Sequence, residues 1–122
     1  MLVMTDPRLV AVVDDDAELR TAFGRALRAG GFDPVLYGSA EHFLASPPPQ
    51  PLHCLVVDVK LGGMSGLDLQ RQLKATGSTV PVVVMTTFDN ARVRDEAHRI
   101  GCVGILDKQA DIEDLLALIR SL

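Results

Sequence analysis

The chain contains no tryptophan, and aromatic residues make up 4% of its 122 positions. Little surface is therefore left on which nucleic-acid bases could stack. Positive charge is not in excess either, because 12 lysines and arginines stand against 16 aspartates and glutamates, for a formal net charge of −4. Direct binding of nucleic acid by this chain is not expected. Two cysteines, Cys54 and Cys102, are too few for a disulfide scaffold. Neither has a second Cys or His at the spacing of a zinc motif, so both read as buried, reduced thiols of a cytoplasmic protein. The longest apolar runs, 9–13 and 82–85, fall far short of the roughly 20 residues that cross a bilayer. Residues 1–4 lack the charged, apolar and small-residue order of a targeting segment. No membrane association is expected. The length suits one domain over residues 1–122, without a separate output domain, and a chain of this size buries roughly 65–70% of its unfolded surface without staples.

Hydrophobic residues make up 48% of the chain, and they are organised. Short valine-rich runs at 9–13, 34–37, 54–57, 82–85 and 104–106 alternate with longer amphipathic stretches. Runs of this kind are parallel strands covered on both faces by crossover helices. Leu19, Ala22, Phe23, Ala26 and Leu27 fall on one helical stripe, which Gly30-Gly31 terminates. Ser39 caps a short helix ending before Pro47, and Ser65 with Asp68 forms a capping box for a helix reaching about Ala75 and closed by Gly77. Asp111 leads into a last stripe of Ile112, Leu115, Leu116 and Ile119. The segment 89–100 offers only Val93, Ala97 and Ile100 as clear apolar anchors, so a weakly held helix is expected there. Residues 47–51, rich in proline, read as a stiff loop rather than a polyproline recognition motif. The pattern predicts an α/β fold: a flavodoxin-like (βα)5 three-layer sandwich whose parallel five-stranded sheet runs in the order 2-1-3-4-5.

Polar residues interrupt the apolar runs at one kind of place. Asp14-Asp15-Asp16 follow the first strand, Asp58 the third, Thr86-Thr87 the fourth and Asp107-Lys108 the fifth. All are C-terminal strand ends, which line one edge of such a sheet. The predicted order makes strands one and three neighbours and so gathers Asp14, Asp15 and Asp58. Two carboxylates about 4 Å apart repel by roughly 4 kcal/mol at an effective dielectric near 20. A bound cation or a raised pKa relieves that repulsion. A hard divalent ion, magnesium in particular, suits a set of carboxylates, a carbonyl and waters. Lys108 adds an ammonium and Thr86 a hydroxyl donor, which completes the parts needed for phosphoryl transfer.

Val12-Val13-Asp14-Asp15-Asp16, the stretch from Val57-Asp58 to Met64-Ser65-Gly66, Met85-Thr86 and Asp107-Lys108 together resemble the receiver domain of two-component response regulators. The likeness runs from about Arg8 to Leu122, with four motifs in order after four strands. Ser39-Ala40-Glu41-His42-Phe43-Leu44 is most similar to receivers that precede a LuxR-type helix-turn-helix domain. The resemblance implies that Asp58 accepts a phosphoryl group from a sensor histidine kinase. It implies a Mg2+ site formed by Asp14, Asp15, Asp58 and the backbone carbonyl of Lys60. Thr86 is then the switch hydroxyl and Lys108 the salt-bridging lysine. An output domain or partner protein, and a homodimer formed on phosphorylation, are the implied downstream partners. The activity implied is a signalling one, limited to promoting its own aspartyl phosphorylation and dephosphorylation.

Three positions depart from that pattern. Gly62 stands where proline commonly follows the phosphoacceptor, so the loop there is expected to be mobile. Gln109 replaces the proline after the lysine, and a cis bond before glutamine would cost about 2.5–4 kcal/mol, so a trans bond is expected. Ile105 occupies the aromatic switch position, with Phe88 as a candidate replacement. These departures support an alternative reading, a pseudo-receiver that binds proteins without being phosphorylated. A flavodoxin-like nucleotide binder is disfavoured, since three aspartates occupy the place of its phosphate loop. His42, His53 and His98 have no catalytic partner in the sequence. Arg92, Arg94 and Arg99 are interleaved with Asp95 and Glu96, as on a solvated helix face.

Overall fold

The computed structural model describes residues 8–86 and 90–122. The tail 1–4, Thr87 and the candidate ring Phe88 lie outside the described residues. Five strands, β1 (Leu9–Val13), β2 (Asp33–Tyr37), β3 (Cys54–Asp58), β4 (Val82–Thr86) and β5 (Gly104–Asp107), alternate with five helices. The helices are α1 (Ala17–Ala29), α2 (Ala40–Ala45), α3 (Gly66–Ala75), α4 (Ala91–Ile100) and α5 (Ile112–Arg120). All strand pairs are parallel and the sheet order is β2-β1-β3-β4-β5. The fold expected from the sequence is the one observed.

Alternation along the buried strands sorts the core into two layers. Val10, Val12, Cys54, Val56, Val83 and Met85 face Phe23, Leu27, Leu115 and Ile119 of α1 and α5. Ala11, Val13, Leu55, Val57 and Val84 face Phe43, Leu69 and Ala97 of α2, α3 and α4. A continuous valine run, rather than an alternating one, is what a sheet covered on both sides requires.

The helix ends follow the caps. Asp16 accepts from the amides of Glu18 and Leu19, Ser39 from His42, Ser65 from Asp68 and Asp111 from Glu113. Gly101 ends α4 at a φ of 113°, a left-handed conformation that glycine adopts without cost. Residues 47–51 form the connection between α2 and β3.

Three strands run one residue past the C-terminal end of their apolar runs. Those runs predict ends at 57, 85 and 106, but the ladder continues to include Asp58, Thr86 and Asp107. Asp58 stands in register with Met85, and Thr86 with Asp107. The polar residues are therefore held by sheet pairing, because the backbone ladder is indifferent to side-chain polarity until the chain turns.

Candidate functional site

At the C-terminal edge of the sheet, β1 and β3 lie side by side and deliver Asp14 and Asp58. Both are buried, at 2% and 5% exposure, whereas Asp15 is exposed. One carboxylate oxygen from each of Asp14, Asp15 and Asp58 lies within 4.8 Å of the others. The loop after β5 brings in Lys108, whose Nζ stands 2.7 Å from Asp58 Oδ2 and 3.1 Å from Asp14 Oδ2. That lysine is placed by its own backbone, since its amide donates to the Thr86 carbonyl at 2.8 Å.

The surroundings explain the protonation states. Burial disfavours the ionised Asp58 carboxyl and pushes its pKa up; the Lys108 ammonium opposes this and the Asp14 carboxylate adds to it. Burial acts to lower the Lys108 pKa, but its hydrogen bonds and charge attraction to Asp58 and Asp14 prevail, and the ammonium titrates above its ordinary value. Three carboxylates against one ammonium leave two negative charges in a confined space. The donors are all oxygen, the preference of hard divalent ions. The residues present thus fit a divalent cation in both charge and chemistry.

Several groups orient the cluster. The amide of Asp16 donates to Asp14 Oδ1 at 3.0 Å, and Arg20 Nη1 donates to the Asp14 carbonyl at 2.7 Å. The Lys60 amide donates to Asp58 Oδ1 at 3.3 Å. Gly66 opens α3 against β3 so closely that a side chain there would run into the Asp58 carbonyl. Thr86, buried at 7% exposure, ends β4.

Sequence reasoning gathered Asp14, Asp15, Asp58 and Lys108 at one edge, and the structure does so too. Asp16 is not part of the cluster; it caps α1. Arg20 was missed, because a side chain that returns six residues to a carbonyl leaves no sequence pattern. The loop after Lys108 was only partly legible. Among the described residues no peptide bond is cis, so the Lys108–Gln109 bond is trans, as expected. The Gln109 amide donates to Asp107 Oδ1 at 2.9 Å, a bond that proline could not make. Ile105 packs into the layer containing Val84 and Ala97, with no ring at that position.

Residues 10–120 match the family described as the response regulator receiver domain. The chain belongs to that family. This receiver is 33% identical over 118 residues to the transcriptional regulatory protein FixJ of Bradyrhizobium diazoefficiens, covering 97% of the chain and 58% of that regulator. The receiver thus spans a little over half the length of that curated relative. A crystal structure of FixJ-N superimposes with a TM-score of 0.85 at 28% identity, covering 98% of this receiver and 93% of that chain. A response regulator receiver protein from Pseudomonas putida gives 0.87 at 26% identity, covering 99% and 100%. Among the described residues no helix is long and apolar enough to cross a membrane.

Proposed function

We propose that this receiver takes a phosphoryl group onto Asp58 from the phosphohistidine of a sensor histidine kinase and converts it into a change of surface. One observation carries the reading: the Lys108 ammonium stands 2.7 Å from the buried Asp58 carboxylate, within reach of the oxygens that an acyl phosphate there would carry. In the transfer an Asp58 carboxylate oxygen forms the new O–P bond as the N–P bond to imidazole breaks. Lys108 then meets a phosphoryl oxygen, and its salt bridge to Asp14 keeps it in reach. The product carries about −1.5 to −2 charge units, by analogy with other phosphoryl groups. Asp14, Asp15, Asp58 and the Lys60 carbonyl are the proposed holders of Mg2+, which supplies positive charge against the phosphoryl oxygens when bound.

In this reading Thr86, which ends β4, donates its hydroxyl toward the new oxygens and so draws on the segment leading into α4. With Ala97 and Ile100, both in its second half, its buried residues, α4 has a thin apolar anchorage, and its first half is the part that shifts. The change is a population shift between existing arrangements. By likeness to a transcriptional regulator, the output is a LuxR-type DNA-binding domain or a partner protein, with dimerisation on phosphorylation, in the cytoplasm.

A second reading, a phosphorylation-independent interaction module, is favoured by Ile105, whose packing leaves no aromatic switch at that position. Exposure of wild type and Asp58→Asn to acetyl phosphate with magnesium, followed by intact-mass measurement, separates the two. A phosphoryl increment in wild type that the variant lacks supports the phosphoacceptor reading. An unmodified wild type under those conditions sinks it.

A further inference from the structure

The loop joining Asp58 to α3 lies directly beside the site. Its ends are pinned: the Val59 amide donates to the Met85 carbonyl and the Gly66 amide to the Val59 carbonyl, both at 3.0 Å. Between them lies Gly62-Gly63, and consecutive glycines leave a chain its greatest backbone freedom. Open space surrounds Gly62, where an added Cβ would meet no atom within 4 Å.

The restraint comes from another element. Glu41, in the first turn of α2, accepts a hydrogen bond at its Oε2 from the Met64 amide at 3.1 Å, across 23 positions of sequence. Its helix is a firm base, since Ser39 caps it and Ala40 and Phe43 are buried. The Met64 amide is the foremost of the groups that hold the Glu41 carboxyl below its ordinary range.

Gly63 reveals the fit. It is not among the glycines with positive φ, which are Gly31, Gly77 and Gly101, so its backbone does not call for glycine. A Cβ at 63 would instead occupy the space of the Glu41 carboxylate. The missing side chain at 63 and the carboxylate at 41 are two halves of one contact.

We propose that Glu41 is a positioning residue for the aspartate site, seated on Gly63 and holding the Met64 amide so that the loop carrying Lys60 stays in register beside Asp58. This rests on the reading that Asp58 is phosphorylated with a divalent ion beside it. Glu41 touches none of the reacting atoms. It acts through the loop, where it supplies the rigidity that the two glycines remove.

The test compares wild type, Glu41→Ala, Glu41→Gln and Gly63→Ala. The apparent Mg2+ dissociation constant is read by calorimetry, the rate of modification by acetyl phosphate at low and saturating Mg2+, and the thermal midpoint alongside. Losing one charged hydrogen bond on a loop is expected to weaken Mg2+ binding about three- to tenfold in Glu41→Ala and Gly63→Ala. Saturating Mg2+ restores their modification rate, and their thermal midpoints stay at the wild-type value. Glu41→Gln keeps an acceptor oxygen and stays within about twofold of wild type. Unchanged Mg2+ affinity in Glu41→Ala overturns the proposal. So does a Glu41→Gln loss as large as that of Glu41→Ala, which would assign the effect to charge alone. A wild type that binds Mg2+ without ever being modified fails the phosphoacceptor reading, while the affinity comparison still decides the tether. A wild type that binds no Mg2+ overturns both.

Discussion

Burial of the Asp58 carboxyl has a consequence that can be measured without any kinase. Its carboxyl titrates above the ordinary value of 3.8 because burial disfavours the ion, with Lys108 opposing and Asp14 reinforcing the shift. The folded chain therefore binds that proton more tightly than the unfolded one. By linkage, the contribution of this group to stability falls as pH rises from its unfolded value through its raised folded value, and remains low above it. Lys108 does not disturb that window: its raised pKa gives stability that is present below 10.5 and lost only as pH rises through the folded value. Asp58→Asn, which cannot ionise and still offers Lys108 an oxygen, is expected to have a higher thermal midpoint than wild type at pH 7. The advantage should shrink as the pH is lowered toward 3.8. A variant that melts at or below wild type at pH 7 contradicts the assignment of burial as the dominant cause.

Among the elements, α4 shows how a sequence reading can be right about apolar anchorage and incomplete about anchorage as a whole. Its buried residues are Ala97 and Ile100. Yet α3 grips its second half with polar groups that the apolar pattern does not reveal. Gln70 Nε2 donates to the Ala97 carbonyl at 3.2 Å, Lys74 Nζ to the Ile100 carbonyl at 3.0 Å, and Arg71 pairs with Glu96 at 2.8 Å. Arg71 and Glu96 lie at the surface, where solvent screens their attraction. Gln70 is different, being only 4% exposed with an Oε1 that has no hydrogen-bond partner. The Ala97 carbonyl also accepts from the Gly101 and Cys102 amides, so it is not stranded if Gln70 is replaced. Gln70→Met, similar in volume, is therefore expected to change unfolding free energy by less than about 1 kcal/mol, because a modest hydrogen bond and an unsatisfied oxygen leave together. Gln70→Ala, which opens a cavity, should cost about 2–3 kcal/mol. Denaturant titration of both variants checks this, and equal losses would show that the hydrogen bond, not the packing, matters at that position.

At the scale of the whole molecule, the sheet order builds the candidate site, because it sets which strand ends become neighbours. β1 between β2 and β3 places Asp14 and Asp15 beside Asp58, and the chain must travel on through β4 and β5 before Lys108 returns to them. A ligand bound by residues from such distant segments stabilises the fold as a unit. Magnesium at 100 times its dissociation constant is expected to add about 2.7 kcal/mol to the unfolding free energy. Asp15 is exposed and outside the Lys108 salt bridges but shares the carboxylate cluster, so Asp15→Asn should leave the metal-free stability unchanged or slightly raised, by relief of repulsion, while removing most of that increment. Thermal melts with and without magnesium, and with chelator, read both quantities; an increment of full size in Asp15→Asn would remove that carboxylate from the metal set.

Much of the fold was legible in the linear chain, for physical reasons that can be named residue by residue. Valine runs covered on both faces, a serine, an asparagine or an aspartate before each helix and a glycine after several of them are local signals, and local signals survive without coordinates. The clustering of Asp14, Asp15, Asp58 and Lys108 could also be anticipated, since each stands at or just past the end of a strand in a fold whose strand ends line one edge. Where sequence reasoning stopped short, the contact was set by side-chain reach across elements: Arg20 onto the Asp14 carbonyl, Glu41 onto the Met64 amide, Gln70 onto α4. Such contacts depend on the distance between elements, which no periodicity records. The amino-acid order by itself determined the alternation of strands and helices and the polar residues at the strand ends, because hydrophobic periodicity and capping act over a few residues. Only the tertiary structure decided that Lys108 reaches both Asp14 and Asp58, that Asp16 serves a helix instead of the cluster, and that Gly63 makes room for Glu41, because those outcomes depend on ångström-scale separations between segments far apart in the chain.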